Sequence, residues 1–171
     1  QTPFKKGKGW LYEGGIRVPF IVKWEGHIKS KSISESMISS IDFLPTILEI
    51  AKINNIPENI DGKSIVPIFK NPEREVHQNL FWHYPHNHNG PPSGAIRSGK
   101  WKLIEWYEKS LLGNDEHAFE LYNLEEDQGE TINLVDSFKT KTNELSKELK
   151  KWRESVNAQM PIKNEKINIH K

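Results

Sequence analysis

The residues with most chemistry in their spacing lie near the start of the chain. Lys8-Gly9-Trp10-Leu11-Tyr12-Glu13-Gly14-Gly15-Ile16-Arg17-Val18-Pro19 sets a lysine beside a glycine and a double glycine ahead of an apolar run. An ammonium is a compact point charge suited to the oxygens of a tetrahedral anion. Gly9 puts no side chain in the way of a close approach. On residue types alone this is either a solvated surface turn, the commoner case, or an anion-binding loop feeding a strand. The charge distribution agrees: Gln1 to Lys31 carries a net +5, and Glu108 to Asp136 a net −8. A basic end suits an anionic ligand.

Phe81-Trp82-His83-Tyr84-Pro85-His86-Asn87-His88-Asn89-Gly90-Pro91-Pro92 is the second such stretch. Three histidines at near-alternate spacing could ligate zinc. No carboxylate or cysteine accompanies them, so a loop over a site mouth that touches a sugar or aromatic ring is the stronger reading. An imidazole beside an ester can hold it or assist its leaving group. His83 ends a strand, where it can hydrogen-bond inward, and His86 and His88 sit in the loop.

These residues need a frame. Arg17 to Trp24 is a nearly continuous apolar run and reads as a strand, with Pro19 placing it at an edge. Asp42 to Ile53 reads as a helix, with Leu44, Ile47, Leu48 and Ala51 on one stripe and Asp42 as its cap. Asn54 to Pro72 is loop-like and marks a domain boundary. Short strands follow: Asn79 to Tyr84, then Gly94 to Arg97 and Trp101 to Glu108 joined at Ser98-Gly99, then Phe119 to Leu124. Phe119 and Leu121 face one way, Tyr122 and Leu124 the other. Phe138, Thr142, Leu145, Leu149, Trp152 and Val156 form one stripe of a helix of about five turns, capped by Asp136 or Ser137. Arg97 is expected to pair with an acid of the −8 region, and Arg17 to fix the strand start. The tryptophans read as core.

Composition narrows the function classes. The 171 residues hold 24 Lys and Arg against 23 Asp and Glu, without the basic excess of a nucleic-acid binder. Zero cysteines exclude disulfides, thiolate metal sites and a cysteine nucleophile within this stretch. No apolar run reaches the ~18 residues of a membrane span, and Gln1 to Trp10 is not a secretory signal.

The lysine stretch resembles the lysine-containing signature of the type I sulfatases, in the alkaline phosphatase-like superfamily. Four further blocks resemble the same family in the same order. They are Ile41-Asp42-Phe43-Leu44-Pro45-Thr46, Asp61-Gly62-Lys63-Ser64-Ile65-Val66-Pro67, Ala95 to Ile104, and Leu121-Tyr122-Asn123-Leu124 with Asp127, Glu130 and Asn133-Leu134. Lys5-Lys6, where an arginine is common, and Glu25, where a proline is common, depart from the pattern.

The resemblance implies an α/β (α+β) fold. The end of the alkaline phosphatase-like α/β domain (1–72) precedes a four-stranded antiparallel sheet packed with a C-terminal helix (73–160) and a polar tail (161–171). It implies an arylsulfatase-like hydrolase of sulfate esters, extending to sulfated sugars. Lys8 matches the lysine that binds a sulfate oxygen. The C-terminal subdomain lines the substrate cleft in such proteins, which makes His83 and His86 the expected substrate contacts. Formylglycine and a calcium ion held by Asp and Asn ligands are implied for the complete enzyme, both outside this chain. The chain is therefore expected to be a C-terminal third, inactive alone, with no metal ligands of its own. The N-terminal part of the catalytic domain and a sulfate ester are its expected partners, without nucleic acid or membrane. The resemblance also implies a periplasmic or secreted location. The rival readings are a phosphoester or phosphonate hydrolase of the same superfamily and a non-catalytic anion- or glycan-binding module.

Overall fold

Alternating side chains on four short strands organise the larger part of the molecule. β1 (Asn79–Tyr84), β2 (Ser93–Ser98), β3 (Trp101–Trp106) and β4 (Phe119–Asn123) form one antiparallel sheet in the order β1-β2-β3-β4. The computed structural model describes residues 3–53, 59–111 and 118–162. Among the described residues five α-helices accompany the sheet: α1 (Glu13–Ile16), α2 (Phe43–Ile50), α3 (Val66–Lys70), α4 (Tyr107–Leu111) and α5 (Lys139–Ser155). The chain divides into two compact units, 1–18 with 81–171, and 19–80. Among the described residues no helix is long and apolar enough to cross a membrane.

In the first unit the sheet is covered on both faces. Successive strand residues point to opposite sides, so Ile96, Leu103 and Leu121 meet Leu145 and Leu149 of α5, with Trp152 and Phe81 beside them. The Phe81 and Trp152 rings stack at 4.9 Å. Ala95, Ile104, Trp106 and Tyr122, on the other face, pack with Leu11 and Tyr12 of the lysine stretch, and Trp10 joins them. Full burial of a Leu or Ile contributes roughly 1.5–3 kcal/mol relative to exposure, so each face is a core in its own right. The register Ala95↔Ile104, Ile96↔Leu103 and Leu103↔Leu121 keeps each face in step across the strands.

The sheet and the last helix agree with the sequence pattern, with local corrections. Ser98 pairs with Trp101, so the turn is Gly99-Lys100 rather than Ser98-Gly99. Gly99 has φ +53°, where a side chain would be strained. β3 stops at Trp106 because Tyr107 opens α4. The N-cap of α5 is Phe138, with no side-chain cap bond, instead of Asp136 or Ser137.

The second unit departs further. Arg17 to Trp24 forms no strand, and Val18, Phe20, Ile21 and Val22 stay exposed. A strand needs a neighbour to take its alternating N–H and C=O groups, and none of the described residues supplies one. α2 is preceded by a 3₁₀ turn, Ser40–Asp42, and buries Pro45 and Thr46, whereas the predicted inner stripe, Leu44 and Ile47, is exposed. Asp42 stands at the N-cap of α2 but its side chain makes no cap bond to that helix, contrary to expectation; its carboxylate serves the 3₁₀ turn and a neighbouring segment instead, with Ser39 N–H donating to Oδ2 at 2.7 Å and Lys63 N–H to Oδ1 at 2.8 Å. His77 Nε2 reaches the same Oδ1 at 2.8 Å. Within the stretch predicted as loop, Val66–Lys70 forms α3 with a proline in its first turn; residues 54–58 lie outside the described ones.

Candidate functional site

Lys8 sits on a loop closed by its own backbone. Trp10 N–H donates to Gly7 O at 3.2 Å, and Gly14 N–H to Lys5 O at 3.1 Å. The expected double-glycine turn is one helical turn, α1, where Gly15 N–H donates to Tyr12 O at 2.8 Å. The Lys8 side chain is exposed. Among the described residues it enters none of the ion pairs. An ammonium held on a shaped loop without a carboxylate partner is free to meet an external anion.

The histidine loop lies directly on this loop. Asn89 Nδ2 donates to the Lys8 carbonyl at 2.6 Å. Gly9 has φ +91°, and a Cβ there would fall 2.6 Å from Asn89 Nδ2 and 2.9 Å from His88 Nδ1. The position requires glycine on both counts, conformation and space. A Cβ at Gly90 would fall 2.6 Å from the Trp10 ring. His86 and His88 are both exposed and flank the Tyr84 ring, with centroid separations of 5.7 and 6.3 Å. The 81 positions between Lys8 and Asn89 are closed in space, and His88 and Asn89 make the junction.

His83 belongs elsewhere. Strand alternation sends Trp82 and Tyr84 toward the lysine loop and His83 to the α5 face. Its Nε2 donates to Gln159 O at 2.9 Å, and its Nδ1 lies 2.6 Å from the Tyr107 hydroxyl. A carbonyl only accepts, so the neutral ring carries its proton on Nε2 and accepts the Tyr107 proton at Nδ1. Burial, partly offset by Arg153, pushes the Tyr107 phenol up to about 12. Arg153 is fixed by an ion pair to Glu105. The expected substrate contact at His83 is therefore not brought to Lys8; both ring nitrogens are engaged inside the unit.

Beneath the lysine loop is a charge cluster that the sequence reading did not single out. Lys102 of β3 is fully buried, with its ammonium 3.0 Å from Glu13 Oε1 and 2.8 Å from Glu130 Oε1. Glu130 Oε2 accepts the Glu13 backbone N–H at 2.7 Å. Arg17 and Arg97 approach Glu13 Oε2 at 3.7 and 3.8 Å. Arg97 thus pairs with the N-terminal loop, not with the acidic 108–136 region. Burial raises the Glu130 carboxyl above its ordinary value, against the lowering pull of Lys102. Lys5 reaches the Tyr122 hydroxyl and the Glu130 carbonyl, each at 3.0 Å. Tyr12 and Tyr122 both donate to Glu120 Oε2 at 2.7 Å, and burial followed by Glu120 raises both phenols. The signal for this cluster was Lys102 itself, which shares a strand face with Ile104 and Trp106.

Among the described residues no three His, Cys, Asp or Glu side chains gather as a metal site.

Residues 5–159 match the family described as N-sulphoglucosamine sulphohydrolase, C-terminal. A sulfatase of Formosa agariphila is 36% identical over 148 residues, covering 78% of this chain and 25% of the relative. Arylsulfatase A of Homo sapiens is 31% identical over 160 residues, covering 84% of this chain and 31% of the relative. A structure solved in complex with its substrate D-glucosamine-2-N,6-O-disulfate superimposes with TM-score 0.63 at 27% identity, over 78% of this chain and 27% of that one. The chain spans about a quarter to a third of the length of these proteins.

Proposed function

The chain belongs to the N-sulphoglucosamine sulphohydrolase C-terminal family, a C-terminal portion of the type I sulfatases, and from that premise we propose that it completes the sulfate-ester site of such an enzyme. Lys8 supplies a fixed cation to a sulfate oxygen. Charge grows on the sulfuryl and leaving oxygens as the ester bond breaks, and a cation already in place stabilises it without reorganisation. The observation that supports this most is the exposed Lys8 on a loop that the histidine segment covers through Asn89 and Gly9.

His86 and His88, exposed beside Tyr84, are the contacts for the sugar or aryl part of the ester. The substrate class is a sulfated sugar, a reading supported by the relative whose substrate is a glucosamine disulfate. In the complete protein a formylglycine would supply the nucleophile and a calcium ion would polarise the sulfate; this chain contributes neither. The surrounding catalytic domain is the partner against which the exposed apolar run Val18 to Val22 is covered. A periplasmic or secreted location fits a polysaccharide substrate. The residue division is a catalytic-domain end at 1–72, a sheet-and-helix subdomain at 73–160 and a tail at 161–171.

The test is release of inorganic sulfate by the protein with its complete catalytic domain, from sulfated mono- and oligosaccharides and from a phosphonate monoester. Sulfate release with at least about a 100-fold preference in kcat/KM over the phosphonate, ~2.7 kcal/mol in barrier, is expected. Preference for the phosphonate would overturn the reading. Tight binding of a sulfated sugar by the 171-residue chain alone, without hydrolysis by the complete protein, would establish a binding module instead.

A further inference from the structure

Glu130 holds both ends of the lysine loop. Its backbone carbonyl accepts the Lys5 ammonium at 3.0 Å at the loop's start, and its carboxylate accepts the Glu13 backbone N–H at 2.7 Å at the loop's end. We propose that Glu130 is a positioning residue for Lys8, clamping the Lys5–Glu13 loop in the shape that presents the ammonium to its anion. The inference rests on the assignment of Lys8 to a sulfate oxygen.

Three features carry it. Glu130 is fully buried and has φ +51°, a backbone conformation that costs a non-glycine residue free energy and persists only where surroundings enforce it. Its carboxylate is held by Lys102, which is equally buried and also grips Glu13 Oε1. The clamp is thus rooted in β3, one of the two inner strands of the sheet, and its other end is Lys8's own loop. Hydrophobic packing of Leu11 and Tyr12 would hold the loop against the sheet without a carboxylate; a buried acid adds direction, because it fixes one N–H and one ammonium at defined points.

The experiment is amide hydrogen exchange and steady-state kinetics on the protein with its complete catalytic domain, as wild type, Glu130→Ala, Glu130→Gln, Lys8→Ala and Glu130→Ala/Lys8→Ala. In Glu130→Ala the amides of residues 8–13 are expected to exchange at least about 10-fold faster while those of Leu145 and Leu149 do not change. Glu130→Gln keeps an acceptor oxygen for Glu13 N–H and is expected to restore protection. Glu130→Ala is expected to lower kcat/KM on a sulfate ester by about 10- to 100-fold, and by less than about 3-fold once Lys8 is already alanine, because the two act as one unit. Unchanged loop exchange, equal acceleration in α5, or an additive double variant overturns the proposal. Should Lys8→Ala leave turnover unchanged, the sulfate assignment falls and the exchange arm alone decides whether Glu130 clamps the loop.

Discussion

Asn89 donates its side-chain amide to the Lys8 carbonyl at 2.6 Å, across 81 residues of sequence. This bond ties the proposed anion-binding lysine to the loop that carries His86 and His88. One net hydrogen bond contributes about 1 kcal/mol. Asn89→Ala is expected to lower kcat/KM on a sulfate ester about 5- to 10-fold with a change in unfolding free energy below about 1 kcal/mol. Kinetics beside a urea titration check it.

Gly9→Ala should do more. The new Cβ meets Asn89 and His88 at a φ of +91°. Strain of this kind costs about 1–3 kcal/mol. The histidine loop is expected to be displaced, seen as shifted His88 imidazole resonances, with kcat/KM down by about 10- to 100-fold. Unchanged resonances and turnover would show that the two loops do not bear on one another.

Lys102→Met leaves Glu13 and Glu130 as facing buried carboxylates with no shared ammonium. Removing one partner of a buried ion pair costs about 3–5 kcal/mol. The urea midpoint should fall accordingly at neutral pH, and the loss should shrink as Glu130 is protonated in acid. A loss below about 1 kcal/mol would mean that the loop is held by its apolar contacts alone.

Glu130 also sets a pH dependence. Burial raises its folded-state pKa above the ordinary 4.5. From 4.5 up to that raised value the native state keeps a proton that the unfolded state has released, so this group's stabilising contribution is complete below 4.5 and is lost as pH rises through the folded pKa. Thermal midpoints of wild type are expected to fall relative to Glu130→Gln as pH increases from 4.5. Parallel curves would contradict the shift.

Local patterns made the strands and the last helix legible. Alternation of apolar residues placed β1 at Asn79–Tyr84, and the 3–4 spacing through Leu145 and Leu149 placed α5. The same logic failed for Arg17 to Trp24, since an apolar run specifies burial and not the neighbour that makes it a strand. Lys8 was found by motif, but its setting was not. The contact with Asn89, and the grip of Lys102 and Glu130 on Glu13, join residues 81, 89 and 117 positions apart. Tertiary packing of the loops on the sheet brings such pairs together, and no local spacing encodes it. The setting of His83 was hidden for a related reason: its neighbours in sequence point toward the loop, while strand alternation turns its own ring to the α5 face, where it hydrogen-bonds inward.

The central claim is the role of Lys8, and the most direct measurement is turnover of a sulfate ester by purified Lys8→Ala in the protein with its complete catalytic domain. Loss of a preorganised group at developing charge should lower kcat by about 10²- to 10³-fold with the fold intact. A kcat within about 3-fold of wild type would contradict the account, since this is below the effect of removing a single stabilising donor.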